Sequence, residues 1–74
     1  MEQIQVFVQE LFKEKRTFLV DSRFTMEQFL KEISDSEHHH YERSFFSIEN
    51  NCFVDLKKSF QENHIVSFDH LVLV

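Results

Sequence analysis

Three consecutive histidines, His38, His39 and His40, form the part of the chain that most resembles a metal-ligand set, and Glu37 and Glu42 lie close by. Imidazole nitrogens bind Zn, Cu and Ni. However, consecutive residues of an extended loop point in alternate directions, and structural zinc sites usually take spaced ligands from two elements. We therefore expect a solvated loop, or a pH-sensitive contact since histidine titrates near neutral pH. No metal or other cofactor is predicted.

Cys52 is the single cysteine, and a cysteine paired with a histidine can act as a nucleophile. Such a pair needs a third group that orients the histidine and donors that bind an oxyanion. No spacing in the sequence indicates those groups, and cysteine is commonly a buried residue. The sequence therefore predicts a protein that is not an enzyme.

The charge balance predicts which classes of partner the chain avoids. The chain has 13 acidic and 8 basic residues and a net charge of −5, and its basic group Lys13, Lys15 and Arg16 is expected to be solvated. Nucleic acids and anionic membranes both select clustered basic residues. No apolar run approaches the ~18 residues of a membrane-spanning helix. We expect neither nucleic-acid binding nor a membrane span.

Length and composition indicate one folded domain over residues 1–74. The chain is 42% hydrophobic, too apolar for a disordered protein. It has no glycine, which excludes a glycine-rich loop around a phosphate. One cysteine and no secretory signal lead us to expect an intracellular protein, cytoplasmic by default.

Period-two alternation predicts strands at the start of the chain. Ile4, Val6 and Val8 alternate with mostly polar residues, and Phe18 and Val20 continue the pattern after a charged turn. Residues 3–21 are therefore predicted to form a β-hairpin.

A helix is predicted next. Thr25 and Gln28 match a capping box, and an apolar stripe at i, i+3, i+4 and i+7 follows, made of Met26, Phe29, Leu30 and Ile33. A strand from Phe45, a turn over residues 49–51, a short strand from Cys52 and a last strand over residues 67–74 complete the pattern. The fold class is α+β, with a mixed sheet of four to five strands packed on one helix.

This order of elements, together with three short segments, resembles ubiquitin and its β-grasp fold. The segments are Gln5-Val6-Phe7-Val8, Thr25-Met26-Glu27 and His70-Leu71-Val72. The resemblance implies an apolar core made of Ile4, Val6, Val8, Phe18, Val20, Met26, Phe29, Ile33, Phe46, Phe53, Phe60, Ile65, Leu71 and Leu73.

The departures from ubiquitin predict a different mode of action. Ubiquitin ends in a flexible tail with two glycines, whose carboxylate is joined to lysines, whereas this sequence has no glycine and stops at Val74. The apolar patch that ubiquitin shows its receptors is matched here only by Leu11 and Val74. Its central isoleucine falls on Ser47. We expect neither conjugation nor binding to ubiquitin receptors.

Large apolar residues fall instead on positions that the resemblance places at the surface: Phe7, Phe12, Leu19, Phe24, Phe45, Phe68 and Val72. Those on strands are expected to point away from the helix. A contiguous apolar patch usually marks an interface. The alternative is scattered surface phenylalanines that reflect coding bias.

The sequence thus predicts a non-conjugating ubiquitin-like module that binds proteins, as a small adaptor or a structural subunit of a larger complex. Two alternatives remain open. A covalent ubiquitin-like modifier or its precursor would need a longer C-terminus with glycine, and a small metal-binding protein would use His38–His40. The predicted interface residues are Phe7, Leu11, Leu19, Phe45, Ser47, Val72 and Val74.

Overall fold

The computed structural model describes residues 2–10, 12–33 and 43–74. Strand β1, Gln3–Glu10, pairs antiparallel with β2, Arg16–Asp21, so that Ile4 lies opposite Val20 and Val6 opposite Phe18. Ile4, Val6 and Val8 are buried, as their alternation predicts. The hairpin prediction is confirmed.

Helix α1, Met26–Ile33, packs its apolar stripe on one face of the sheet. The Thr25 hydroxyl accepts a hydrogen bond from the backbone N–H of Gln28 at 3.2 Å, which caps the first turn. Met26 and Phe29 are buried, while Leu30 and Ile33 are partly buried against the core. The predicted N-cap at Thr25 and the apolar stripe are confirmed, but of the two bonds of a capping box only the one accepted by the Thr25 hydroxyl is found among the described residues.

Three further strands complete a five-stranded mixed sheet: β3 Phe45–Ser47, β4 Cys52–Phe53 and β5 His70–Leu73. Their order across the sheet is β2-β1-β5-β3-β4, with β5 parallel to β1 and antiparallel to β3. The last strand is shorter than predicted because residues 66–69 turn. In that turn Phe68 has φ 73°, and the Asp69 carboxylate accepts the N–H of Val66 at 3.0 Å.

In the turn between β3 and β4, an asparagine adopts the positive φ that glycine commonly adopts in turns. Asn51 has φ 55°, a conformation that asparagine tolerates better than most residues. The buried Ser47 hydroxyl accepts a hydrogen bond from the backbone N–H of Asn50 at 3.1 Å and so has a partner inside the turn. The turn predicted here is confirmed.

Phe29 is the centre of the core. Its ring lies 5.1 Å from the ring of Phe18, 5.5 Å from Phe45 and 5.2 Å from Phe60, measured between centroids. The edge-to-face geometry with Phe18 and Phe60 is favourable for aromatic pairs. The helix is thereby joined to the sheet and to the loop that carries Phe60.

The predicted facing of β3 and β4 is wrong. Phe45 is fully buried and Val54 is 9% exposed, whereas Phe46 is half-buried and Phe53 is 60% exposed on the opposite side. Ser47, expected at the surface, is fully buried. A slip of one residue exchanges the two faces of a strand, and two adjacent phenylalanines give the local pattern no means of choosing between them.

Phe24 also departs from its predicted surface position. It is half-buried and packs against the core. Its carbonyl accepts the N–H of Phe60 at 3.0 Å, which draws the segment before the helix toward the loop after β4.

Candidate functional site

The face of the sheet that points away from α1 carries a continuous row of apolar and aromatic side chains. Because side chains alternate along a strand, each strand that sends one residue into the core sends its neighbour to this outer face. We call the row the outer apolar strip. In order across β1, β5, β3 and β4 it consists of Phe7, His70, Val72, Phe46 and Phe53.

Ring contacts and strand pairing place the members of the strip side by side. The ring of Phe7 stacks on that of His70, with centroids 4.9 Å apart and an interplanar angle of 26°. Val72 is directly opposite Phe46 in the antiparallel β3–β5 pair. Phe46 then meets Phe53 edge to face at 5.2 Å. The strip is therefore one surface built by four strands rather than a set of isolated side chains.

Much of this surface remains open to solvent. Phe53 is 60% exposed, and Phe7, Phe46 and Val72 are half-buried. Leu19, 65% exposed on β2, points to the same side of the sheet beyond Gln5. Contiguous apolar surface of this kind is typical of protein–protein contacts.

A hydrogen-bonded carboxylate holds the one polar ring of the strip in place. The backbone N–H of His70 donates to Glu49 Oε1 at 2.7 Å, and His70 Nδ1 lies 3.0 Å from Glu49 Oε2. These hydrogen bonds hold the pKa of Glu49 below its usual range, and the bond from the backbone N–H of His70 has the largest effect. At the other side of the strip, Lys15 Nζ lies 5.2 Å from the centroid of the Phe7 ring.

Val74 separates two clefts near one end of β5. The first, about 450 Å³, lies beside β1 and is lined by Gln9, Glu10, Phe12, Val72, Leu73 and Val74. The second, about 520 Å³, lies beside β3 and is lined by Arg43, Ser44, Phe53, Leu56 and Val74. Val72 and Phe53 belong to the strip as well, so the clefts extend its apolar surface.

A partly buried ion pair supports this end of the sheet. Glu10 is 8% exposed and accepts a hydrogen bond from Arg43 at 2.8 Å, with Lys13 Nζ at 3.1 Å. Burial raises the pKa of Glu10, but the hydrogen bonds from Arg43 and Lys13 outweigh it and lower the pKa below its usual value. The pair joins the end of β1 to the segment that enters β3.

The structure brings together only some of the predicted interface residues. Phe7 and Val72 lie on the outer apolar strip, Leu19 lies on the same face, and Val74 is 55% exposed between the two clefts. Phe45 and Ser47 are buried in the core and present no surface to a partner, which corrects both assignments. Leu11 and His38–His40 lie outside the described residues.

Sequence reasoning placed Phe46 and Phe53 in the core and so missed them as surface residues. The face of the sheet on which these side chains lie depends on the β3–β5 register. It also missed Glu10, although a signal was present: Glu10 continues the alternation of Ile4, Val6 and Val8 onto the buried face. A carboxylate at that position needs a cation, and Arg43 supplies it from 33 residues further along the chain.

Within residues 2–10, 12–33 and 43–74, no three His, Cys, Asp or Glu side chains come close enough to hold a metal ion. Cys52 is an exposed free thiol on β4. In the same part of the chain, no helix has the length and apolar character to cross a bilayer.

Comparison with known proteins identifies the fold. No protein-family model matches the chain, and no curated protein matches it either. Solved structures do match. One, described as molecular mimicry of SUMO that promotes DNA repair, has a TM-score of 0.83 at 13% identity, over 100% of this chain and 92% of the other.

Two further structures agree. The ubiquitin-like domain of an Arabidopsis thaliana protein has a TM-score of 0.79 at 20% identity, over 100% of this chain and 78% of the other. A de novo design based on ubiquitin has a TM-score of 0.76 at 12% identity, over 97% and 87%. At these identities the likeness concerns the fold, and it agrees with the five-stranded mixed sheet and single helix described above. The chain therefore has the ubiquitin-like β-grasp fold.

Proposed function

We propose that this chain is a protein-binding module that acts without covalent conjugation, as a small adaptor or a structural subunit of a larger complex. Its binding surface is the outer apolar strip, extended by Leu19 and by the clefts beside Val74. The observation that carries the proposal is the continuity of the strip across four strands, from the Phe7–His70 stack to the Phe46–Phe53 pair.

The area of the strip suits an interface of moderate strength. Covering Phe7, Phe46, Phe53 and Val72 contributes roughly 6–12 kcal/mol, at about 1.5–3 kcal/mol for each side chain. Three of the four are already half-buried, which moves the sum toward the lower value. Association itself costs about 4–15 kcal/mol. Polar contacts at the border, at Lys15 and Glu49, are therefore needed for a stable complex.

Non-covalent action is supported by the surface of the sheet. The side chains available for recognition are largely aromatic, and paired strands fix their positions. Tyr, Trp and Phe side chains of this kind are enriched at protein–protein interfaces.

The test replaces two members of the strip at once, Phe46→Ser with Val72→Ser. The tagged chain is purified at native expression, and the proteins that accompany it are identified by mass spectrometry. The double variant should keep its fold, checked by thermal unfolding, and lose its partners. Val66→Ser is the matched control, because Val66 is 60% exposed but lies in the loop before β5, off the strip.

The same samples separate binding from conjugation. Under denaturing electrophoresis the partners should separate from the chain, which should run at 9.1 kDa plus the mass of its tag. A higher-mass adduct that resists denaturation would favour the covalent-modifier alternative. A double variant that retains every partner of the wild type would show that the strip is the wrong surface.

A further inference from the structure

The two edges of the sheet differ in length. β4, at one edge, has two residues, whereas β2, at the other, has six and pairs with β1 along its whole length without a bulge. Natural proteins protect sheet edges by shortening them, bulging them or placing proline or charged residues there, because unpaired edges accept further strands. The chain contains no proline. Within the described residues, β2 is a long edge without a bulge, and its charged residues, Arg16 and Asp21, stand only at its two ends.

The hydrogen bond at the open end of the hairpin shows which backbone groups face this edge. The N–H of Ser22 donates at 2.9 Å to the carbonyl of Glu2, the residue opposite it in the β1–β2 register. Bonded and non-bonded pairs alternate in an antiparallel ladder. The even-numbered residues of β2 therefore bond to β1, and Thr17 and Leu19 direct their N–H and C=O groups to the free edge.

Opposite charges stand at the two ends of this edge. Lys15 immediately precedes β2, and Asp21 ends it. Asp21 shares the side of the sheet that carries Leu19, because the two residues are two positions apart in one strand. Lys15 is on the same side, since its Nζ lies over the ring of Phe7. An antiparallel neighbour places the start of one strand beside the end of the other. A strand with the same charges in the same order is therefore complementary to β2.

We propose that two copies of this chain dimerise through their β2 edges, as antiparallel strands related by a two-fold axis at Phe18. In this register Thr17 of each copy bonds to Leu19 of the other. Lys15 of each copy faces Asp21 of the other. The contact is isologous, so each interaction occurs twice. It forms a ten-stranded sheet with both outer apolar strips on the same side.

A second copy fits this edge better than an arbitrary strand does because one sequence supplies both charges by symmetry. The Asp21 carboxylate also accepts the backbone N–H of Arg23 at 2.9 Å and lies 3.4 Å from its guanidinium. A carboxylate has room for these bonds and for a lysine. The dimer uses the backbone edge of β2, whereas the proposed partner surface is the outer apolar strip. Lys15 and Leu19 border both surfaces, so the two proposals are separated by the variant Phe46→Ser with Val72→Ser, which changes the strip and leaves the β2 edge unaltered.

Sedimentation equilibrium over a concentration series up to about 1 mM tests the dimer. The wild type should form dimers. Lys15→Asp alone and Asp21→Lys alone should each raise the dissociation constant about tenfold or more, since each sets like charges opposite one another. An equimolar mixture of the two variants should restore the dimer, because both ion pairs are then re-formed between unlike copies.

Two further variants separate the edge from other surfaces. Leu19→Pro removes an N–H that faces the free edge and takes no part in the β1 ladder, so the fold should persist while the dimer is lost. Leu19→Val retains that N–H and should dimerise like the wild type. Phe46→Ser with Val72→Ser should also leave the dimer intact.

Four results would overturn the proposal. The first two are a wild type that stays monomeric over the whole concentration series and a mixture of the two charge variants that does not associate. The other two are a dimer that persists in folded Leu19→Pro protein and a dimer that is lost in the variant Phe46→Ser with Val72→Ser. The effect of the strip variant on partner binding is measured in the separate pull-down experiment. A failure of the dimer proposal can therefore be told apart from a failure of the proposed function.

Discussion

Phe12 has both a strained backbone conformation and an aromatic side chain exposed to solvent. Its φ is 64°, in the left-handed region where a bulky side chain is strained, and its side chain is 97% exposed. A left-handed conformation costs roughly 1–2 kcal/mol for a residue with a Cβ. The aromatic ring recovers none of that cost through burial in the core. It does line the cleft beside Val72 and Val74, on the proposed binding surface.

We expect Phe12→Gly to stabilise the fold by about 0.5–1 kcal/mol, because glycine removes the strain and only part of the gain is lost to the greater freedom of the unfolded chain. Urea unfolding measures the change. Glu14→Gly is the control: Glu14 is exposed in the same turn, but its φ is not positive, so glycine there should destabilise. Equal destabilisation by both variants would contradict the argument.

At the scale of elements, the helix and the hairpin depend on Phe29. It is 2% exposed and touches aromatic rings from β2, from β3 and from the loop that carries Phe60. Removing a ring from such a site takes away the burial of the ring and leaves a cavity that close-packed neighbours cannot fill.

Phe29→Ala should therefore destabilise the domain by roughly 3–5 kcal/mol, a large part of the stability of a domain of this size. Thermal or urea unfolding followed by circular dichroism measures it. Gln28→Ala, on the exposed side of the same helix, should change stability by less than about 0.5 kcal/mol, because the Thr25 cap uses its backbone N–H and not its side chain. A small effect of Phe29→Ala would contradict the core described here.

At the scale of the whole molecule, several carboxyl groups have pKa values below their usual range in the fold. They are Glu10, Asp21, Glu49 and Glu62. A carboxyl group whose pKa is lower in the folded than in the unfolded chain stabilises the fold at pH values above its unfolded pKa. That stability is lost as the pH falls through the folded pKa.

The free energy of unfolding should therefore decrease as the pH falls below about 4.5, the ordinary value for glutamate. Glu10→Gln should flatten this decrease and, at neutral pH, cost roughly 1–3 kcal/mol, since it leaves the partly buried Arg43 without its charged partner. Urea unfolding at a series of pH values measures both effects. For the exposed control Glu14→Gln, the plot of unfolding free energy against pH should run parallel to that of the wild type. A parallel plot for Glu10→Gln would contradict the role of the Glu10–Arg43 pair.

Local patterns were enough for much of the fold. The alternation of Ile4, Val6 and Val8 reveals a strand with one buried face, and the Thr25 cap with the stripe from Met26 to Ile33 reveals the helix. Both signals are periodic and short-range, because the period of the backbone alone decides which side chains share a face. These elements, in their order, were sufficient for the β-grasp resemblance.

Tertiary structure alone decided the outer surface. Whether Phe45 or Phe46 points inward depends on pairing with β5, whose Val72 lies opposite Phe46 from 26 positions further along the chain. A strand of three residues with aromatic side chains on both faces has no periodic signal of its own. The Glu10–Arg43 pair likewise joins residues that only the folded sheet brings together. The sequence by itself therefore determined the elements and most of the core, while long-range strand pairing determined which aromatic side chains remain for a partner.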